Sequence, residues 1–153
     1  MKKIDLGQMI AILANIGVIA GIVFLGFELR QNSAAAELQA AQAYVNISHE
    51  SDFRLAENPE LVEVLQSSVD GRSPVDGLRV DRWWFGVLRT WENGFFLNKR
   101  GALDDELWSG QVAFMNNLLR VNGELREYRQ DNREYFSRDF GMFLDDLLAP
   151  ESE

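Results

Sequence analysis

Apolar positions follow two different patterns along this chain. From Met9 to Phe27 nineteen residues, MIAILANIGVIAGIVFLGF, run without a charge, and Asn15 is their only strongly polar side chain. As a helix this stretch is about 28 Å long, close to the ~30 Å hydrocarbon thickness of a bilayer. A core helix of a soluble protein is usually shorter and keeps one polar face. The pattern therefore predicts a single transmembrane helix, bounded by Lys2 and Lys3 before it and Glu28 and Arg30 after it.

Beyond Arg30 the pattern changes to helical periodicity. The stretch QNSAAAELQAAQAYVNISHESDFRLAEN is rich in Ala, Gln, Glu and Leu and reaches Pro59 without a Gly or Pro, so the membrane helix is expected to continue as one long rod. Ala34, Leu38, Ala41, Val45 and Ser48 make a stripe on it that suits packing on another helix. Asn58-Pro59-Glu60 is a start signal, with Asn as cap and Pro at the first helical position, for a helix over 59–69. Ser73-Pro74-Val75-Asp76 repeats it as a capping box.

The most apolar helix beyond the membrane span is expected over 75–98. Val80, Trp83, Trp84, Val87, Leu88, Trp91, Phe95 and Phe96 give it an aromatic face. Gly101 breaks the chain, and Asp104, Asp105 and Glu106 open the next helix, with Leu107, Trp108, Val112, Met115, Leu118 and Leu119 as its core stripe. Asn122-Gly123 reads as a turn. A charged amphipathic helix follows with Leu125, Tyr128, Tyr135 and Phe136 inward, and a final helix capped by Ser137 ends at Pro150. No run alternates with a period of two. The expected fold is all-α: an N-terminal transmembrane helix (1–30) extending into a small antiparallel helical bundle (31–149), with a short tail (150–153).

Charge and composition narrow the chemistry. The net charge is −9 over 153 residues, and most acids lie beyond Arg30, which disfavours nucleic acid and a surface lying flat on anionic lipid. There is no cysteine, which removes disulfides, thiolate catalysis and cysteine-ligated metal sites. His49 is the only histidine, so a di-iron bundle with two Glu-x-x-His units cannot be built. No phosphate loop, Gly-x-Ser-x-Gly or EF-hand spacing occurs. No cofactor, metal or catalytic set is expected. A hydrolase would need a second carboxylate facing Glu92 across a cleft.

Small residues at Ser33-Ala34-Ala35-Ala36 resemble a signal-peptide cleavage site, but the apolar run exceeds the usual length of a signal core, and a retained anchor is expected. Lys2 and Lys3 against Arg30 alone favour an extracytoplasmic C-terminal part.

Within the span, Gly17-Val18-Ile19-Ala20-Gly21 is a GxxxG motif. With Ala14 and Asn15 it makes a face on which two helices can approach closely, although small residues also recur by chance in membrane helices. The expected partners are membrane lipid and either a second copy of the chain or another membrane protein. In the aromatic helix, Trp84, Trp91 and Phe95 are either ordinary core or the wall of a pocket for a small apolar ligand. Arg89 and Glu92, three residues apart, can pair on one face; with Asn93 they are either a structural polar cluster or part of that site.

The layout resembles an uncharacterised group of small bacterial single-pass membrane proteins with no known activity. The likeness rests on Leu29-Arg30-Gln31-Asn32-Ser33, on Asn58-Pro59-Glu60-Leu61, on Arg89-Thr90-Trp91-Glu92-Asn93 and on the segment from Gly101 to Trp108. It spans nearly the whole chain through short motifs. Members often carry more basic residues just after the membrane helix than this chain does. The resemblance implies a bacterial inner (cytoplasmic) membrane protein and carries no catalytic residue. Two functions follow as expectations: a membrane-anchored interaction module that self-associates or serves a membrane complex, or a tethered sensor of a small apolar ligand.

Overall fold

The computed structural model describes residues 6–149; Lys2, Lys3, Pro150 and the tail lie outside the described residues. Those residues form six α-helices and contain no strand: α1 (Leu6–Ala56), α2 (Pro59–Gln66), α3 (Pro74–Lys99), α4 (Asp105–Val121), α5 (Gly123–Asp131) and α6 (Arg138–Leu148). Short 3₁₀ turns at Val69–Gly71 and Arg133–Tyr135 follow α2 and α5. The chain divides into two units, 1–39 and 40–153, and α1 contributes residues to both.

In the first unit the stretch of α1 from Met9 to Phe27 is apolar all round but for Asn15. Its described side chains up to Gln39 are exposed, and α1 is long and apolar enough to cross a membrane. The sequence-expected stripe does not pack here, since Ala34 and Leu38 are both exposed. It begins to pack in the second unit, where Ala40, Ala41, Val45 and Ser48 are half-buried and Tyr44 is buried.

The second unit is a helical bundle built around α3. Helix α3 packs on α2, α4 and α5, while α4 packs on α5 and α6. Val80, Trp84, Leu88 and Trp91 of α3 meet Met115 and Leu119 of α4, Leu125 of α5 and Phe140 and Leu144 of α6 in the main core. The sides chosen by the periodicity of α3 and α4 are therefore the buried ones, because a 3.6-residue repeat sets these positions on one stripe. A smaller cluster joins Tyr44 of α1 to Leu97 and Leu103.

Side chains fix the helix ends. Asn58 Oδ1 accepts from the Leu61 N–H at 3.1 Å, and Asp104 Oδ1 accepts from Glu106 and Leu107 at 3.0 and 3.1 Å. In the Ser73 box, Ser73 Oγ accepts from the Asp76 N–H at 3.2 Å and donates to the Asp76 carboxylate at 2.7 Å. Helix α3 ends in a Schellman turn: Gly101 N–H donates to Asn98 at 2.8 Å and Ala102 N–H to Leu97 at 2.9 Å, with Gly101 at φ +72°.

Three details differ from the sequence expectation. Helix α2 stops at Gln66, not at residue 69, because Ser67 turns to an extended conformation and Val69–Gly71 closes as a separate 3₁₀ turn. Asn122 is more than a turn: one residue ends α4 and caps α5, its Oδ1 accepting from the Leu125 N–H at 2.8 Å. Tyr135 and Leu107, expected inward, are exposed. Tyr135 sits in the 3₁₀ turn after α5, where the α-helical period no longer applies, and Leu107 lies at the edge of the stripe set by Met115 and Leu119.

Candidate functional site

The aromatic helix α3 separates the residues singled out from the sequence onto different surroundings. Trp84 and Trp91 line a cavity of about 440 Å³. The α1 residues beyond Ala40 supply one wall through Ser48, Ser51, Asp52 and Leu55. Helix α2 adds Val62 and Leu65, and α4 adds Gln111, Phe114 and Leu118. The wall thus holds three indoles, Trp83, Trp84 and Trp91, and the Phe114 ring, which meets Trp91 edge-on at 6.3 Å. That volume is within the range of small-molecule sites, and most of the lining is apolar with few polar groups, as such sites require.

Among the described residues Gln66, Thr90 and Gln111 of this wall make no side-chain hydrogen bond, and neither do Trp84 and Asp52. Trp84 is 4% exposed, and its indole N–H has no hydrogen-bond acceptor. Leaving a buried donor unmatched costs about 1–3 kcal/mol, so native structures rarely keep one without reason. Asp52 is exposed, and no ion pair or hydrogen bond to its carboxylate occurs among the described residues. Among the described residues it is the only charged side chain on the cavity wall. The two serines beside it are self-satisfied: Ser48 Oγ and Ser51 Oγ each donate to the carbonyl four residues earlier, at 3.0 Å.

Arg89, Glu92 and Asn93 stand away from that cavity. Glu92 is 4% exposed and forms an ion pair with Arg89. Its other oxygen, Oε1, accepts from the Ser137 backbone N–H at 2.6 Å. Arg89 Nη2 donates to the Tyr135 carbonyl at 2.7 Å, and the guanidinium stands 5.2 Å from the centres of both the Phe85 and Phe136 rings. Both ends of the pair are thus matched, and what they hold is the 3₁₀ turn and the start of α6. Asn93 is exposed. Phe95 is in neither place: it packs on Phe143 and Phe140 of α6 at 5.1 and 5.8 Å.

Other buried charges are also matched. Buried Arg129 donates to the Gly141 carbonyl at 3.0 Å and pairs with Asp145. The hydrogen bond from Arg129 holds the Asp145 carboxyl below the usual aspartate range, and Arg133 adds to it against a small desolvation penalty. Lys99 does the same for Asp139 across 2.5 Å. Among the described residues no group of three or more His, Asp or Glu side chains could hold a metal ion.

Sequence reasoning missed Tyr44, Asp52 and Phe114. Tyr44 is 3% exposed, its ring lies against Gly94 of α3, and its hydroxyl is unmatched. Burial pushes its phenol above the usual tyrosine value, and Ser48 offsets part of that. The signal was present: Tyr44 follows Ala41 by three and precedes Ser48 by four, inside the noted stripe, and Gly94 is the one gap in the aromatic face opposite. Asp52 carried no such signal, since nothing marks one acid among many on a polar helix.

In the membrane-type segment, Gly17 and Gly21 are exposed, and a Cβ at either would meet nothing within 4 Å. Ala14 and Asn15 are exposed as well. No family model, curated protein or solved structure matches this chain.

Proposed function

We propose that the chain is a single-pass membrane protein whose apolar helix anchors a helical interaction module, associating with a second copy or with a membrane partner along Ala14, Asn15, Gly17 and Gly21. One observation carries the anchoring: the large apolar side chains from Met9 to Phe27, including Ile10, Leu13, Ile16, Ile19, Ile22, Phe24 and Phe27, are all exposed. Burying such a side chain gains about 1.5–3 kcal/mol each, so leaving them wet costs more than the ~5–15 kcal/mol that holds a domain folded. Lipid removes that cost. The glycines support the association, because no described residue of the same chain uses the space they leave. With this reading go the bacterial inner membrane and an extracytoplasmic second unit, drawn from the family resemblance and from Lys2, Lys3 and Arg30.

Alkaline carbonate extraction of membranes from cells making the full chain tests the anchoring. The protein should stay in the membrane pellet, and release into the supernatant would overturn the reading. Native mass measurement in mild detergent tests the association: dimers or larger species are expected, converted to monomer by Gly17→Leu with Gly21→Leu.

A second reading, a membrane-tethered binder of a small ligand, is favoured by the cavity beside Trp84 and Trp91. Phe95, expected in that wall, takes no part in it.

A further inference from the structure

The cavity wall is aromatic and carries charge of a single sign. Among the described residues three indoles and a phenyl ring line it, no Lys or Arg does, and its only ionised group is Asp52. The chain as a whole is acidic, at −9. Aromatic faces attract a cation through the ring quadrupole, tryptophan most strongly, and an unmatched carboxylate on the same wall adds to the attraction. An anionic ligand meets only repulsion there.

We infer that this cavity binds an amphipathic organic cation, a quaternary or tertiary ammonium joined to an aromatic or short aliphatic body. Asp52 and the indoles of Trp83, Trp84 and Trp91 receive the cationic end, and the apolar walls of Val62, Leu65 and Leu118 receive the body. The inference rests on the tethered-binder reading above and narrows it to one ligand class.

The test uses two probes of one shape on the full-length protein in mild detergent. Benzoylcholine carries the cation, and 3,3-dimethylbutyl benzoate replaces its nitrogen by carbon. Binding is read by titration calorimetry after subtraction of protein-free micelles, with the wild type and with Asp52→Asn, whose helical content is checked by circular dichroism. The cation should bind roughly ten-fold more tightly than the neutral ester, the scale of a partly desolvated cation–π contact, and Asp52→Asn should remove most of that ratio. Equal or tighter binding of the neutral ester overturns the cation assignment and leaves the apolar-ligand reading standing. A ratio that survives Asp52→Asn also overturns the site as assigned. Binding of neither probe overturns both.

Discussion

Two carboxylates lie beside the aromatic helix α3 and differ in nearly every respect. Glu92 is buried, pairs with Arg89 and accepts the Ser137 N–H, so its charge is consumed in holding the turn before α6. Asp52 is exposed, has no partner among the described residues, and stands on the wall of a cavity with three indoles. The difference teaches where to look for function. A polar group whose bonding capacity is filled by the fold has little left for a ligand, whereas a free carboxylate on a cavity wall has all of its own. By that criterion the apolar side of α3 is the candidate site and its polar side is architecture.

The largest expected effect breaks the architectural side. Glu92→Ala strips Arg89 of its ion partner and the Ser137 N–H of its acceptor. Removing one partner of a buried pair costs about 3–5 kcal/mol, but Arg89, 48% exposed, can turn to water, so about 2–3 kcal/mol is expected here. Denaturant unfolding of the detergent-solubilised protein measures it, and a change near zero would contradict the structural role. Gly94→Ala comes next. The new Cβ would stand 2.5 Å from the Cζ and hydroxyl of Tyr44, closer than packed atoms come, and overpacking of that kind costs about 1–3 kcal/mol. Gly94→Ala with Tyr44→Leu, which removes the ring, should recover most of the loss.

These particular residues also show what the sequence made legible. The all-α fold, the long apolar helix, the caps at Asn58, Ser73 and Ser137 and the core side of α3 follow from periodicity and capping chemistry, which are local. The pairing of Arg89 with Glu92 was readable from a spacing of three. What it fastens was not, because Tyr135 and Ser137 lie more than forty residues away and nothing local brings them near. The cavity was half legible: Trp84 and Trp91 were named for it, yet Phe95 was drawn in because it shares their helix, while helical rotation carries it to α6. Asp52 and Phe114 come from other helices, and only tertiary packing sets them on the same wall.

A smaller effect separates the matched surface charges from the free one. Asp145 is held ionised by Arg129, so its folded-state pKa lies below its unfolded value. Stability from that contact is therefore complete above the ordinary aspartate range, about pH 4, and is lost as pH falls through the lower folded value. Asp145 is half-exposed, so water screens the contact and the contribution is modest. Thermal unfolding of wild type and Asp145→Asn across this acid range should show the two curves converging as pH falls. A gap that widened toward acid would refute the pairing.

The smallest expected effect bears most directly on the comparison. Asp52→Asn is close in shape, removes a charge with no partner, and sits on the exposed surface of a helix. Surface substitutions away from bonded features stay within about 0.5 kcal/mol of neutral, and the fold should register this one no more than that. The parallel change Glu92→Gln, also close in shape, removes the charge that meets Arg89 and weakens the acceptor for Ser137. If both amides were equally harmless, or equally damaging, the distinction between a carboxylate used by the fold and one left free would fail. A stable Asp52→Asn protein beside a weakened Glu92→Gln protein is the outcome that keeps it. Only then can a loss of cation binding in Asp52→Asn be read as a property of the site, because the scaffold around it has not changed.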